Sequence, residues 1–291
     1  MAVLELGPED ALAYEHVPPS GPTGLTFVFV NAITGDLGQW RAVGEPLRAA
    51  GHGTLAWNFR GQAGSRYIPG ARLDTEAIVG DLRRLLEALR PVRPVLVGLS
   101  IGGLYAARAI LAGAEARALV LLNTLRKPGV RLDWINAAVV RVMEVAGPLL
   151  MRDLMSPLLF GPTWLSAHRA ECLLPGTRYQ PLDPGSGQME LLRRMGEADW
   201  NVPWERLDLP TLVVSGLCDR VFFDAGDVAE LAGRLPHGRR VDFAGAGHML
   251  PVEVPERLAE ALLAFAHELA GAGAGSRQPA AREPAERGAS R

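Results

Sequence analysis

The chain has 291 residues, 48% of them hydrophobic, and a formal net charge of -2. That length allows one large α/β domain with a sizeable core, and no basic cluster marks a nucleic-acid-binding face. The first residues, MAVLELGPEDALAYEH, hold neither a basic nor an apolar leader region, and no run reaches the roughly 18 uncharged apolar residues of a membrane span. The expectation is a cytoplasmic protein without nucleic-acid or membrane partners. Cys172 and Cys218 lie too far apart for a zinc knuckle or a disulfide framework and are expected as reduced, buried thiols.

Taken in chain order, LEL and ALAYEHV read as an antiparallel edge, and LTFVFVNA (25–32) as a β-branched and aromatic strand. GTLAWNF (53–59) is the next strand. Asp74 is placed to cap a helix over TEAIVGDLRRLLEALRP, in which Ile78, Leu82, Leu85, Leu86 and Leu89 form one stripe and Pro91 ends the run. PVLVG (94–98), ALVLLN (118–123), TLVVSG (211–216) and RRVDFAG (239–245) are further short apolar runs, the pattern of strands covered on both faces by helices. Between 127 and 205 no strand is expected. The apolar stretch WINAAVVRVMEVAGPLLMRDLMSPLLF, with Pro148 and Pro157 as interruptions, reads as helices inserted over the sheet. Pro255 opens a last helix that Gly271 closes. The expected fold is α/β, a mostly parallel central sheet flanked by helices. Residues 1–127 and 206–270 form its core, 128–205 a helical cap, and 271–291 a disordered tail.

One corner of this pattern carries chemistry. In VGLSIGGLYAARAI, Ser100 sits between a strand and a helix, with Gly98 before it and Gly102 and Gly103 after it. A G-x-S-x-G turn in that context is a nucleophile elbow. The backbone is strained so that the hydroxyl stands clear of the sheet, and the flanking residues must be small because strand and helix nearly touch. The helix that starts at Ile101 turns its first N–H groups and positive dipole end toward the place where an oxyanion would form.

A serine nucleophile needs a base, and the base an orienter. Among His16, His52, His168, His237, His248 and His267, only His248 lies in a glycine-bearing loop, GAGHMLPVEVPE, directly after the last strand, where it reaches the same sheet edge as Ser100. Asp219, directly off the TLVVSG strand, is favoured as orienter over Asp224, which is also placed to cap a helix. The N–H of Ile101 is the first expected oxyanion donor, and the second belongs to the loop VNAITGDLGQW (30–40).

From GLSIGG, GLCD and GAGHMLPVEVPE, in that order, the chain resembles the α/β-hydrolase superfamily over roughly 25–271. It is also similar to the enol-lactone hydrolases of aromatic catabolism. NAITGDLGQW keeps Asn31, Asp36, Leu37 and Trp40 of their oxyanion loop, and LLNTLRKPG and DWINAAV look like their segments after the sixth strand. That likeness implies Ile33 as the second oxyanion donor and brings Asn31 to the substrate site. The same loop is similar to the Ala-Leu-Thr-Gly loop of acyl-homoserine-type acyltransferases. NFRGQAGS departs from the usual Asp-x-Arg-Gly-His-Gly-x-Ser: Asn58, Gln62 and Ala63 stand for Asp, His and Gly, whereas Arg60, Gly61 and Ser65 match.

The reading is a serine hydrolase that cleaves an ester or lactone of a small to medium apolar substrate through an acyl-enzyme, with no metal or organic cofactor. Trp134, Met155, Phe160 and Trp164 of the cap are candidates to line its pocket, with packing inside the cap as the alternative. Acyl transfer, carbon–carbon cleavage or haloperoxidase-like chemistry would use the same residues. A non-catalytic ligand-binding protein on this fold is a further alternative.

Overall fold

The structure, a computed structural model, describes residues 1–274. In chain order the elements are β1 (Ala2–Glu5), β2 (Ala11–Val17), β3 (Thr26–Val30), α1 (Arg41–Ala49), β4 (Gly53–Trp57), α2 (Thr75–Leu89), β5 (Pro94–Leu99), α3 (Ile101–Leu111) and β6 (Ala118–Leu122). Then come α4 (Val130–Val145), α5 (Gly147–Leu159), α6 (Pro162–His168), α7 (Gly187–Met195), β7 (Thr211–Gly216), α8 (Ala225–Arg234), β8 (Gly238–Phe243), α9 (Leu250–Glu253) and α10 (Pro255–Ala274). One eight-stranded sheet runs in the order β1-β2-β4-β3-β5-β6-β7-β8. The β1 and β2 pairings are antiparallel, and β3 to β8 are parallel throughout.

The apolar runs divide by pleat between two cores. On β5, Leu96 faces the core under α2 and α3, where Ile78, Leu82, Leu85 and Leu86 pack. Val95, Val97 and Leu99 face the opposite core, with Val43 and Leu47 of α1 and Leu258, Leu262 and Phe265 of α10. Burial on both faces is why these strands read as continuous hydrophobic runs.

Asp74 caps α2 through a hydrogen bond from the Ala77 N–H, and Asp224 caps α8 through one from the Asp227 N–H. No strand lies between β6 and β7, and α4 to α7 fill that stretch. Pro148 opens α5 rather than breaking it. Pro157 does not interrupt it either: it lies within the last helical turn, which continues to Leu159. Gly271 does not close the last helix, since α10 continues to Ala274 through a Gly-Ala run that helical geometry tolerates. The tail expected to be disordered from 271 therefore begins as helix, and its remainder, 275–291, lies outside the described residues. Both cysteines are half-buried loop residues rather than core thiols, and the Cys218 Sγ donates to the Ala244 carbonyl.

A buried ion pair ties the edge of the sheet to α2. Arg60 holds Asp81 with two hydrogen bonds, Nε to Oδ2 at 2.7 Å and Nη2 to Oδ1 at 3.1 Å, and reaches Asp10 Oδ2 at 3.0 Å. Asp81 is 1% exposed. Removing only the cation leaves a buried carboxylate without its partner. Arg60→Ala is therefore expected to destabilise the fold by about 3–5 kcal/mol, read as a lower denaturant midpoint at unchanged slope. A loss below about 1 kcal/mol, the range of an exposed pair, would show that the pair does not anchor the edge.

Candidate active site

β5 ends at Leu99, and Ser100 makes the turn into α3 with φ 58° and ψ -124°. That left-handed backbone is strained for a residue with a side chain. It is held by the Ser100 N–H donating to the Leu122 carbonyl at 2.8 Å and by the Gly103 N–H donating to the Ser100 carbonyl at 3.1 Å. The glycines are there for space: a Cβ on Gly98 would overlap the Gly103 backbone, and one on Gly102 the carbonyl oxygen of Val30.

His248 lies in the loop between β8 and α9. Two side chains that the motif reading left without a role clamp this loop. Asn123, just past β6, donates through Nδ2 to the carbonyls of Gly247 (3.0 Å) and His248 (2.9 Å), while its Oδ1 accepts from the Gly216 N–H (2.8 Å). The Glu253 carboxylate accepts from the N–H groups of Gly247 (2.8 Å), Met249 (3.0 Å) and Gly161 (2.7 Å). The His248 N–H donates to the Leu159 carbonyl at 2.5 Å, so the end of α5 is fastened to the same loop.

The imidazole Nδ1 meets Asp219 Oδ2 at 2.7 Å, and both side chains are nearly fully buried. This contact assigns the ring proton to Nδ1 and leaves Nε2 as the acceptor. Asp219 Oδ1 accepts from the N–H groups of Val221 (3.0 Å) and Phe222 (2.9 Å). Burial pushes the Asp219 carboxyl up. The attraction and hydrogen bond of His248, the Arg126 charge and the Phe222 N–H outweigh it and hold the group below the usual aspartate range.

On the other side of Ser100, the Ala32–Ile33 peptide is oriented by Gln62. The Ala32 carbonyl accepts from Gln62 Nε2 (2.9 Å) and from the Gly35 N–H (3.0 Å). A trans peptide points its N–H opposite to its carbonyl, so these bonds turn the Ile33 N–H away from Gln62. Gln62 Oε1 in turn accepts from Asn31 Nδ2 (2.9 Å) and the Phe59 N–H (3.0 Å). The residue that departs from the usual histidine therefore organises this loop.

Ser100, Ile101, Ile33 and His248 line one cavity of about 370 Å³, mostly apolar, walled by residues of α4, α5 and α7. Of the residues expected in its wall, Met155 and Phe160 are there. Trp134 is not: it is 75% exposed. Trp164 also stands outside the lining and stacks between Phe160 and His168. Asn31 is fully buried behind the loop, where Nδ2 donates to Trp57, Asn58 and Gln62 and Oδ1 accepts from Trp40 Nε1 at 2.7 Å. Those bonds make it a support for the loop rather than a substrate contact.

The unexpected member of the site is Arg126, from the turn after β6. It is 7% exposed and lines the cavity. Its Nη1 donates to the carbonyls of Asn123 (3.0 Å) and Leu125 (2.8 Å), and the guanidinium lies 3.6 Å from the Phe222 ring centre. Its Nη2 donates to Ser100 Oγ at 2.8 Å and stands 3.5 Å from His248 Nε2. Burial pushes its pKa down to about 10, against the pull of Asp219, which leaves it cationic at neutral pH. Nothing in LLNTLRKPG marks Arg126, because only the fold brings this turn over the tip of β5. Among the described residues no group of three or more His, Cys, Asp or Glu side chains is placed to hold a metal. No helix among them is long and apolar enough to cross a membrane.

A family model described as the alpha/beta hydrolase family matches residues 27–261. RutD of Pantoea ananatis (strain LMG 20103), whose name assigns it provisionally as a carbamate hydrolase, is 27% identical over 251 residues, spanning 82% of this chain and 86% of its own. Among solved structures, a thermophilic esterase from Thermogutta terrifontis superposes with a TM-score of 0.73 at 23% identity, over 92% of this chain and 97% of its own. The enol-lactonase from Burkholderia xenovorans LB400 gives 0.71 at 19% identity, over 88% and 96%. At these identities the two structures share the fold with this chain.

Proposed function

The chain belongs to the alpha/beta hydrolase family, and we propose that it is a serine hydrolase cleaving a carboxylic ester or lactone through an acyl-enzyme at Ser100. The observation that carries this reading is the buried His248–Asp219 bond of 2.7 Å, with His248 lining the cavity that the strained Ser100 also lines. The α4–α7 segment is read as the cap that encloses the substrate.

In the reaction, Ser100 Oγ attacks the carbonyl carbon and its proton passes to His248 Nε2. Asp219 keeps the Nδ1 proton in place and faces the imidazolium. The N–H groups of Ile33 and Ile101 receive the oxyanion. The carbon–oxygen bond then breaks, and the leaving oxygen takes the proton from Nε2; in a lactone it stays tethered to the acyl group. Water next gives a proton to His248 and its oxygen to the acyl carbon. Collapse expels Ser100, which regains its proton. No step asks a metal or organic cofactor for charge or electrons.

Turnover of a panel of short esters, thioesters, lactones and a carbamate tests the reading, each substrate offered with and without an acceptor alcohol. Free acid is the expected product of an ester or lactone. Transfer to the acceptor in preference to water would replace hydrolysis by acyl transfer, and turnover of the carbamate alone would move the substrate class. Gln62→Leu removes the side-chain bond of the two that orient the Ile33 peptide. It is expected to lower kcat by about 10²-fold, the scale of one lost oxyanion donor, with KM little changed. An unchanged kcat would take Ile33 out of the oxyanion site.

A further inference from the structure

Arg126 has no role in the cycle just described, and its position conflicts with that cycle. Proton transfer needs Ser100 Oγ to bond His248 Nε2 directly, yet Arg126 Nη2 stands at both atoms, 2.8 Å from the first and 3.5 Å from the second. Among the described residues no carboxylate is bonded to its guanidinium either. The cavity lining holds two arginines, Arg126 and Arg152, and no aspartate or glutamate. Arg152 is paired with Asp153 at 2.8 Å. The carboxylate whose charge acts on Arg126 is Asp219, and that group is already bonded to His248. A cation buried among apolar side chains without its own counter-ion is costly, and such an arginine is suited to a planar anion arriving from outside.

We infer that the cavity takes esters or lactones that carry a carboxylate a few bonds from the scissile carbonyl, and that Arg126 selects them by exchanging its hydrogen bond to Ser100 for one to that carboxylate. The inference rests on the reading of Ser100 and His248 as nucleophile and base. The exchange does two things at once. It supplies the missing counter-ion, and it releases Ser100 Oγ and His248 Nε2 to bond each other. A neutral ester supplies no anion, so the guanidinium stays on the serine and the base. The closeness of Nη2 to Oγ (2.8 Å) sets the reach: an anion bound to that nitrogen lies within about two hydrogen-bond lengths, about 6 Å, of the reacting group.

The test uses matched pairs of probes: a p-nitrophenyl hemisuccinate against a p-nitrophenyl pentanoate, and 3-acetoxypropanoate against butyl acetate. The full-length wild type is expected to favour the anionic member of at least one pair by about 10- to 100-fold in kcat/KM, the worth of a charge-assisted hydrogen bond. Arg126→Gln is expected to bring that ratio to within about threefold of unity, through a higher KM for the anionic probe and a higher kcat for the neutral one, whose serine and base the guanidinium no longer holds, and Arg126→Lys to keep part of it. Free acetate, by drawing Arg126 off Ser100 and His248, is expected to speed labelling of wild-type Ser100 by a fluorophosphonate, a readout that needs no variant to fold. A wild type with no anionic preference in either pair overturns the inference, as does an Arg126→Gln enzyme that loses both members of a pair equally. Labelling of Ser100 in those same samples separates the two failures. If the serine labels without an anionic preference, the hydrolase reading stands and the selection by Arg126 falls. If neither protein labels or turns over any probe, the hydrolase reading itself falls.

Discussion

Ser100→Ala is expected to lower kcat on the best ester of the panel by about 10⁶-fold, with the far-ultraviolet circular dichroism of the fold unchanged. His248→Ala is expected to cost about as much. The double variant should lose no more than either single one, because nucleophile and base act as one unit and removing either removes the step. The residual rate would come from the oxyanion donors and from binding. The proposed donors are backbone groups of Ile33 and Ile101, so neither substitution takes them away. Multiplicative losses in the double variant would mean that Ser100 and His248 act in separate steps.

Asp219→Asn is expected to lower kcat by about 10⁴-fold while leaving the site's shape intact, since an amide in the place of Oδ2 favours the wrong imidazole tautomer. The same substitution has a signature in stability. The Asp219 carboxyl is held below its ordinary range by His248 and Arg126 in spite of burial. Its stabilising contribution is fully present above the unfolded aspartate value of about 3.9 and fades as the pH falls through the lower folded value. The stability gap between wild type and Asp219→Asn should therefore be widest near neutrality and close as the pH falls below about 4. Denaturant midpoints across that range measure it. A gap that does not change with pH would show that the carboxylate is not held by its neighbours in the folded state.

The sheet was legible because its parallel strands are covered on both sides. Val95, Leu96, Val97 and Leu99 divide between two cores, so the run shows no polar interruption and cannot be taken for a half-exposed strand. Ser100 was legible because its requirement is local: strand and helix come into backbone contact within five residues, and only glycine fits at 98 and 102. Asp219 and His248 could be read from their places directly after strands that end on one edge.

Positions that depend on distant backbone were not legible. Gln62 acts on a loop 30 residues away and Glu253 on a glycine 92 residues away, and no periodicity announces either contact. Arg126 looks like one cation of a turn until the turn after β6 is laid over the tip of β5. Trp134 shows the limit of hydropathy: α4 is apolar over much of its length, so its sequence alone does not say which side faces the cavity. Trp134 turned out to be exposed, while Ile135 and Val139 of the same helix line the cavity.

The account depends on a hydroxyl at residue 100 made nucleophilic by the imidazole at 248. Intact-mass and peptide mass spectrometry after reaction with a fluorophosphonate measures this most directly. The predicted result is one adduct per chain, on Ser100, formed at least about 10³-fold more slowly when His248 is replaced by Ala. An adduct on another residue, or labelling of Ser100 at the same rate without His248, would contradict it.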